Sequence, residues 1–591
     1  MLSKNKFGIF VLLMILGLLL VACGGADAGT DAEEVDSSAE TEAATPADEE
    51  MAEDEMTEGA PAMSAALLTI PEANAQFVRN FNPLGNSSMV CTLNCIYEPL
   101  MILNSMTSEL EPWLAESFEF SDDGLTLTFN LRDGVLWSDG EPFTADDVVY
   151  TYETVRDVPG VDSPVIAAMV GDTAYVESVT AVDETTVQFT FNRVNTPAIY
   201  ELINQNIVPE HVFSQYDDVI ATTNENPVGT GPFTELVSFS SQSYQINANP
   251  NYWQEGVPTF AGIEFVSYGD GNAAALAAVN GDVDWSNAQI QDPETTFVSV
   301  DPDNRYSISF EDRNYNILAL NTQVAPFDDV NVRKAISMAI NREQIAIIAE
   351  NGIVDAFDVT GLTAAYDSWK VDDVAALGDW TTYNPEMANQ LLDEAGLAVG
   401  DDGIRVLPDG TRMSYSIGVL PAPNWIAGNE IVAQNLAEVG IELAVVPNPN
   451  FPEYLETLQT GNFDMAFGII DAGATPYTVY NSTMSSALVA PVGERSPGNY
   501  TRYDGGAADD LLAQFAAATT VAEQHEIVFE LQQVFAAEVP IVPVIAHGGV
   551  AHIMTTTFTG FPTADNLYAS PEPNPVFEDD FLLVITNLTA K

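Results

Sequence analysis

The residue types most often used for catalysis and for metal binding are scarce in this chain. Among its 591 residues there are only four histidines and three cysteines. His547 and His552 stand five apart near the end of a predicted strand, a spacing more typical of unrelated side chains than of a metal pair. The sequence contains no Gly-x-Ser-x-Gly elbow, no His-Glu-x-x-His pair and no Walker A loop. We therefore expect neither an enzyme nor a bound metal or cofactor.

Acidic side chains, by contrast, are abundant. The chain carries 87 Asp and Glu against 17 Lys and Arg, for a formal net charge of −70. Because the excess is spread along the chain, we interpret it as an adaptation for solubility, with attraction of cationic ligands as the alternative. Such a surface repels nucleic acid. Carboxylate pairs such as Glu119 with Asp147 are too numerous for any one to be assigned as the acid and nucleophile of a glycosidase.

Several residues are better suited to binding a ligand than to transforming it. An indole stacks on a sugar face or fills a side-chain pocket, which makes two tryptophans candidates. Backbone groups in two short stretches could pair with an extended ligand, as when a strand is added to a sheet edge. An aspartate directly after an apolar strand is the candidate charged group. The candidate ligand contacts are Met89, Cys91, Trp285, Trp425, Gly468, Ile470 and Asp471.

The elements that must position these residues follow from the hydrophobic periodicity. Apolar and polar residues alternate over 118–120 and 125–131, with turn residues between them, which predicts a β-hairpin. Thr144 then begins a helix, with Asp147 placed for a capping box. Further helices are predicted at 273–279, 332–340, 385–395 and 521–535, and a strand at 539–543.

From Met413 onward the pattern alternates between strands and helices. Such alternation predicts an α/β lobe with right-handed crossovers. The predicted strands are 415–419, 441–445 and 465–470, and the helices between them are 432–439 and 454–459. Ligands in such lobes lie beyond the carboxyl ends of the strands, and Asp471 directly follows one of these ends.

The run LAESFEFSDDGLTLTFNLRDGVLWSDGEPFTADDVV around the hairpin resembles the signature region of the family 5 extracellular solute-binding proteins. These are the receptors of ABC importers for oligopeptides, dipeptides, nickel and some oligosaccharides. The segments 81–84, 95–100, 226–233 and 332–343 also resemble family sequences. The resemblance implies an α/β fold of two lobes, the periplasmic-binding-protein or Venus-flytrap fold, with an extra domain.

The resemblance also implies how the chain is divided among these parts. The division is lobe I at 67–105, 208–311 and 540–591, the additional domain at 106–207, and lobe II at 312–539. A ligand would bind between the lobes and favour their closed arrangement. The protein would then be a monomer that delivers its ligand to ABC permease subunits driven by cytoplasmic ATPases.

Oligopeptides are the ligand that we favour at this point. In peptide-binding family members an Asp after a lobe strand neutralises the ligand's α-amine, a role that Asp471 would take here. The segments 423–425 and 559–566 resemble the oligosaccharide-binding branch, which makes oligosaccharides the alternative. A secreted hydrolase is a less favoured third possibility, supported only by export and by abundant carboxylates.

The N-terminal residues predict export and anchoring. Lys4 and Lys6 precede an apolar run that ends in Leu-Val-Ala-Cys, so residues 1–22 resemble a lipoprotein signal whose cleavage leaves a lipidated Cys23. Residues 23–66 are acidic and contain no Lys or Arg, which predicts a disordered tether. We therefore expect a protein lipid-anchored to the outer face of the cytoplasmic membrane, in the periplasm or at the cell surface.

The remaining two cysteines leave an open choice. Cys91 and Cys95 are four apart, and in an oxidising compartment they could form a disulfide if their Cα atoms come within reach. The alternative is a pair of free, buried thiols.

Overall fold

The computed structural model describes most of the chain after residue 62. The described residues are 63–73, 76–85, 88–171, 174–420, 422–448, 451–470, 473–575 and 580–591. The predicted export signal, Cys23, most of the predicted tether and Asp471 lie outside the described residues.

The part of the chain before residue 305 contains eleven strands and six α-helices among the described residues. The strands are β1 (Ser64–Ala73), β2 (Met101–Leu103), β3 (Leu110–Pro112), β4 (Ala115–Phe120), β5 (Thr126–Leu131), β6 (Val176–Asp183), β7 (Thr186–Phe191), β8 (Phe233–Phe239), β9 (Ser243–Ala248), β10 (Phe260–Tyr268) and β11 (Trp285–Ser286). The helices are α1 (Ala145–Asp157), α2 (Ile166–Met169), α3 (Ala198–Leu202), α4 (Glu210–Phe213), α5 (Gly271–Asn280) and α6 (Pro293–Thr296).

The part from residue 305 onward is richer in helix. Its strands are β12 (Arg305–Leu320), β13 (Ala398–Val399), β14 (Arg405–Val406), β15 (Ser414–Val419), β16 (Glu442–Pro447), β17 (Met465–Ile470), β18 (Val542–Met554), β19 (Phe558–Thr559) and β20 (Thr589–Ala590). Its helices are α7 (Val330–Ala339), α8 (Arg342–Ala349), α9 (Pro385–Glu394), α10 (Pro423–Glu438), α11 (Phe451–Thr460), α12 (Pro476–Met484), α13 (Ala507–Ala517), α14 (Val521–Glu538) and α15 (Asp580–Asn587).

These strands form three four-stranded sheets and several two-stranded ones. The first sheet has the order β1-β10-β9-β8, and the second has the antiparallel order β4-β5-β7-β6. The third, β11-β18-β12-β17, is antiparallel throughout. β15 and β16 form a separate parallel pair. The architecture is therefore a mixed α/β fold.

Buried apolar residues form two large hydrophobic cores. The first core takes its residues from 68–308 and 551–588, and the second takes its residues from 315–546. The chain passes from the first to the second within β12 and returns within β18. Because β12 and β18 pair antiparallel across both parts, the two crossings lie side by side. Their register is irregular between Glu311 and Tyr315, close to the point where the cores separate.

The predicted hairpin and helix of the first core are confirmed. β4 pairs with β5, and Phe118 lies opposite Phe129. Leu127 and Phe129 are fully buried because alternate residues of β5 face the core. At the start of α1, the Thr144 backbone N–H donates to Asp147 Oδ2 (2.9 Å), one half of the predicted capping box.

The strands and helices predicted after residue 413 are also found, with one difference in position. β15, α10, β16, α11 and β17 follow in the expected order. The strand expected at 539–543 instead begins at Val542, because Val539 has a left-handed φ of 47° and caps α14. The residues 541–546 pack in the second core, so the return crossing lies later than the boundary predicted at 540.

The folded region also begins slightly earlier than expected. β1 starts at Ser64, opposite Phe260 of β10, whereas the sequence predicts a tether up to residue 66. Among the described residues, no helix has the length and apolarity needed to cross a membrane.

Candidate ligand-binding cleft

A cavity of about 1300 Å³ separates the two cores. One wall comes from residues between Pro83 and Asn206, on the side of the first core, and the other from residues between Gly473 and Ala516. Asn314, in the β12 crossing, lines it as well. Pockets for drug-sized molecules are typically ~300–1,000 Å³, so this cleft has room for a short oligomer.

Carboxamide side chains contribute seven polar groups to the lining of this cleft, beside its hydroxyl groups. They are Asn94, Asn195, Asn204, Gln205, Asn206, Asn314 and Asn481. A carboxamide presents both a donor and an acceptor, so it pairs with amides and with hydroxyl groups alike. The lining therefore suits a neutral, polar ligand backbone.

The amides of the first wall are held in place by the fold. Ser163 Oγ donates to Gln205 Oε1 (2.6 Å), and Gln205 Nε2 donates to the backbone oxygen of Asn206 (2.8 Å). The Asn94 backbone N–H donates to Asn206 Oδ1 (3.4 Å), and Asn94 Nδ2 donates to the backbone oxygen of Pro575 (3.0 Å). These bonds fix the directions of the polar groups before any ligand arrives.

The second wall is built after the carboxyl end of β17. Gly473, Ala474 and Thr475 line the cleft, and α12 begins at the next residue. Tyr366 Oη donates to the backbone oxygen of Gly473 (2.6 Å), which ties this turn to the second core. This wall of the cleft therefore lies beyond the carboxyl end of β17, where a ligand is expected in an α/β lobe.

Four charged residues line the cleft: Asp162, Arg193, Glu201 and Asp509. Asp509 accepts hydrogen bonds from the backbone N–H (2.8 Å) and the hydroxyl (2.6 Å) of Ser486. Glu201 Oε2 accepts a hydrogen bond from Tyr175 Oη (2.7 Å), and burial raises the pKa of Glu201. Arg193 Nη1 donates to the backbone oxygen of Ala174 and to Asn192 Oδ1, both at 3.1 Å. The cleft thus presents both signs of charge.

The two walls touch at one edge of the cleft through Thr196. Its backbone N–H donates to the backbone oxygen of Ala516 (2.9 Å), and its Oγ1 donates to that of Ala518 (3.0 Å). Gln524 Nε2 donates to Thr196 Oγ1 (3.3 Å). These hydrogen bonds, with a longer one from Thr196 Oγ1 to the backbone oxygen of Ala516 (3.3 Å), connect a loop of the first wall to the α13–α14 region of the second.

Neither tryptophan expected at the ligand lines this cleft. Trp285 is 0% exposed, stacks on Phe581 with ring centroids 5.4 Å apart, and donates its indole N–H to the backbone oxygen of Pro571 (2.7 Å). Trp425 is 7% exposed and packs edge-on against Phe467, at 5.1 Å between centroids. Both indoles are core residues, since burial of a large apolar ring is strongly favourable. The structure therefore places Trp285 and Trp425 in the hydrophobic cores and outside the lining of the cleft in which a ligand is expected.

The backbone groups expected to pair with a ligand are largely engaged within the protein. The Met89 N–H donates to the backbone oxygen of Asn80 (2.8 Å), and the Met89 carbonyl accepts from the N–H of Thr92 (3.0 Å). Gly468 and Ile470 lie in β17, an edge strand that pairs with β12 on one side. The neighbours Ser88 and Leu93 line the cleft, but Met89, Cys91, Gly468 and Ile470 do not.

Cys91 and Cys95 are joined as a disulfide, with Cα atoms 4.9 Å apart. The bridge closes a tight turn next to the cleft, in which Cys91 and Asn94 both have positive φ values. Among the described residues, no group of three or more His, Cys, Asp or Glu side chains is placed to hold a metal ion.

The residues that line the cleft could have been anticipated in one place only. Asn204, Gln205 and Asn206 stand between the apolar pairs 202–203 and 207–208. Gln205 and Asn206 are 3% and 4% exposed. A polar triplet inside an apolar run indicates buried groups that need partners. Tyr175, Glu201 and Tyr477 carry no such local signal, because they meet only through tertiary packing.

Comparison with known proteins gives the family. Residues 109–488 match the family described as bacterial extracellular solute-binding proteins, family 5 Middle. A putative ABC transporter peptide-binding protein of Brucella ovis is 28% identical over 445 residues, which is 73% of this chain and 79% of that protein. Di/tripeptide-binding protein 1 of Pseudomonas aeruginosa is 26% identical over 473 residues, covering 76% of this chain and 83% of that protein.

Solved structures agree with this assignment. A periplasmic oligopeptide-binding protein of an oligopeptide ABC transporter from Thermotoga maritima superposes with a TM-score of 0.78 at 26% identity, covering 89% of this chain and 99% of that one. Its mannohexaose-bound form gives a TM-score of 0.76 at 25% identity, with the same coverage. The fold is thus the two-lobed α/β fold of these binding proteins. This chain belongs to family 5 of the bacterial extracellular solute-binding proteins.

Proposed function

We propose that the protein binds oligopeptides in the cleft between its two cores and delivers them to the permease of an ABC importer. The observation that carries this proposal is the cavity of about 1300 Å³ with walls from both cores. A ligand that touches both walls stabilises their closed arrangement, and a permease can then distinguish loaded from empty receptor. The peptide-binding relatives in Brucella and Pseudomonas support the choice of ligand.

The lining chemistry is compatible with peptides of varied sequence. Carboxamides pair with peptide groups irrespective of the side chains that the peptide carries. Arg193 and the cleft carboxylates offer charges of both signs, which suits a ligand with an ammonium and a carboxylate end. Asp471, two residues before the cleft-lining Gly473, remains our proposed partner for the α-amine.

Oligosaccharides are the second candidate ligand, and a specific observation favours them. The mannohexaose-bound Thermotoga protein is 25% identical to this chain and has a TM-score of 0.76. An amide-rich lining also serves sugar hydroxyl groups, which donate and accept in the same way. Against this candidate, neither Trp285 nor Trp425 lies at the cleft to stack on a sugar face.

The remaining features of the proposal concern anchoring and assembly. We infer that residues 1–22 direct export, that Cys23 carries the lipid, and that the acidic segment up to about residue 63 is a tether. The receptor acts as a monomer with permease subunits and their cytoplasmic ATPases, and it releases its solute unaltered. The additional domain at 106–207 and the two lobes keep the predicted boundaries, except that the return crossing is moved into β18.

Isothermal titration calorimetry on purified protein, stripped of ligand by unfolding and refolding, tests this proposal. We expect binding of a defined tripeptide-to-pentapeptide pool and no change of the peptides on prolonged incubation. A cleft-blocking variant, Ala513→Trp, should lose binding, whereas Ala522→Trp on exposed α14 surface should not.

Three results would change the conclusion. Binding of manno- or cello-oligosaccharides without any peptide heat would replace the ligand class. Equal binding by the Ala513→Trp variant would move the site away from this cleft. Turnover of either ligand by the pure protein would favour the hydrolase instead.

A further inference from the structure

Glu201 is a half-buried carboxylate of the cleft that lacks a positively charged partner. No ion pair among the described residues includes it. Of the other two carboxylates of the lining, Asp162 is exposed, and Asp509, half-buried like Glu201, is already bonded to the backbone N–H and hydroxyl of Ser486. Glu201 therefore stands out as a desolvated negative charge facing a ligand cavity.

Tyrosines from both walls line the cleft that Glu201 faces. Tyr175, from the same wall, donates its hydroxyl to Glu201 Oε2 (2.7 Å), and both residues line the cleft. Tyr477 comes from the opposite wall, and its ring stacks on Phe515 at 5.0 Å between centroids. Burial, with the negative charge of Glu201, raises the pKa of Tyr477 to about 12, although the Arg193 guanidinium acts in the opposite direction. Tyr477 and Glu201 thus line the same cleft from opposite walls.

The basic residue of the lining does not neutralise Glu201. The Arg193 guanidinium lies 5.6 Å from the Tyr175 ring centroid and donates to the neutral oxygens of Ala174 and Asn192. It forms no ion pair with Glu201 within 4.0 Å. Burial raises the pKa of Glu201, which reflects the unfavourable desolvation of its charge. A cation in the cleft would relieve this cost.

We propose that Glu201, together with Tyr175 and Tyr477, forms a subsite that selects an ammonium group of the bound solute. The carboxylate supplies the charge-assisted hydrogen bond, and the two phenol rings supply faces and edges that favour a cation. Because Tyr477 belongs to the opposite wall, the ammonium would also connect the two halves. The net charge of −70 attracts such a ligand at long range. This inference rests on the proposed peptide function.

Two sources of the ammonium are distinguished by four matched pentapeptides. The probes are Ala-Ser-X-Ser-Ala with X as Lys or Gln, each with a free or an acetylated N-terminus, measured by calorimetry at low salt. We expect at least one ammonium-bearing peptide to bind about tenfold or more tightly than the acetylated Gln peptide. A preference for Lys over Gln identifies the side-chain ammonium as the recognised group, whereas a preference for the free over the acetylated N-terminus identifies the α-ammonium.

Variants assign the preference to Glu201. The ammonium preference should fall below about threefold in Glu201→Gln and persist in Glu201→Asp. It should also persist in Glu177→Gln, which removes an exposed carboxylate outside the cleft. Unfolding curves check that each variant is folded.

The inference is overturned if wild-type protein binds all four peptides equally, or if the preference survives Glu201→Gln. An equal loss in Glu177→Gln would also overturn it, since general attraction by acidic residues would then be sufficient. In these cases binding of the acetylated Gln peptide leaves the proposed peptide function standing. If no peptide binds and manno-oligosaccharides do, both the peptide function and this subsite are wrong.

Discussion

Glu98 shows how strongly single side chains are constrained in this fold. It is fully buried, and its Oε1 accepts hydrogen bonds from the Trp113 indole N–H (2.7 Å) and from Tyr252 Oη (3.2 Å). The Trp253 indole N–H approaches both carboxyl oxygens at 3.4 Å. Burial raises the pKa of Glu98 from 4.5 to about 7, although these donors act in the opposite direction. The folded protein therefore holds a proton here that the unfolded chain loses at lower pH.

This raised pKa predicts a pH-dependent stability. The stabilising effect of the proton is fully present below pH 4.5 and is lost as the pH rises through about 7. From the difference between the two pKa values, the loss for this group is on the order of 3 kcal/mol. Urea unfolding between pH 5 and pH 8 should show a flatter pH dependence for Glu98→Gln than for wild type. Parallel curves for the two proteins would contradict the assignment.

For Trp425, the structure predicts an effect on stability and little effect on ligand binding. Because its ring packs on Tyr454 and Phe467, Trp425→Ala should lower the free energy of unfolding by about 3–5 kcal/mol. Affinity per folded molecule should change little. Denaturant unfolding and calorimetry on the same preparation separate the two effects. Unchanged stability with weaker binding would return Trp425 to the ligand site.

The proposed role of Asp471 in binding a peptide α-amine rests on the sequence alone, and it can be tested by mutation. If it pairs with a peptide α-amine, Asp471→Asn should weaken peptide binding by about 1.5–3 kcal/mol, since charge-assisted hydrogen bonds are of this strength. N-terminally acetylated peptides should show little difference between the two proteins. Unchanged affinity for free peptides would remove Asp471 from the site.

Local features of single residues were predictable, whereas cleft membership was not. The Thr144–Asp147 capping box depends on residues three apart, so the sequence contains all the information it requires. Tyr477 and Glu201 line the same cleft but lie far apart in the chain, so no short-range pattern could place them together. The burial of Trp285 and Trp425 could not be predicted, because an indole suits a core and a binding site equally well.

At the scale of elements, the contact through Thr196 links a loop before α3 to the α13–α14 region. Thr196→Val keeps the side-chain shape but removes the Oγ1 hydrogen bonds to Ala518 and Gln524. If the closed arrangement depends on this contact, ligand affinity should fall about threefold to tenfold, the effect of losing a modest hydrogen bond.

Thr222→Val is the matched control for this prediction. Thr222 Oγ1 bonds to the backbone oxygen of Asp218 within a single wall, so its loss should leave affinity unchanged. Calorimetry with one peptide on all three proteins provides the measurement. Equal affinities for wild type and Thr196→Val would show that the contact does not contribute to closure.

Element identity was predicted better than element boundaries. Period-two alternation in β5 and the strand–helix order after residue 413 are strong local signals. The extent of β18 could not be predicted in this way. Its thirteen residues pack first in the second core and then in the first, so its apolar residues do not follow the pattern of a strand that packs against one core.

At the scale of the whole molecule, two hydrophobic cores enclose a polar cleft and are joined by two adjacent strands. The family signature allowed this two-lobed class to be predicted. Sequence could not give the volume or lining of the cleft, since both depend on how the walls meet. The antiparallel pairing of β12 and β18 places both crossings together, an arrangement in which small changes in two strands can alter the separation of the walls.

The most direct test of the central claim is a crystal structure of the protein with a peptide that calorimetry has shown to bind. We predict an intact peptide in the cleft, in contact with the first wall near Glu201 and Asn206 and with the second wall near Tyr477 and Asn481. A peptide bound on one wall only, bound outside the cleft, or cleaved would contradict the account of a receptor that holds its solute between two halves and releases it unaltered.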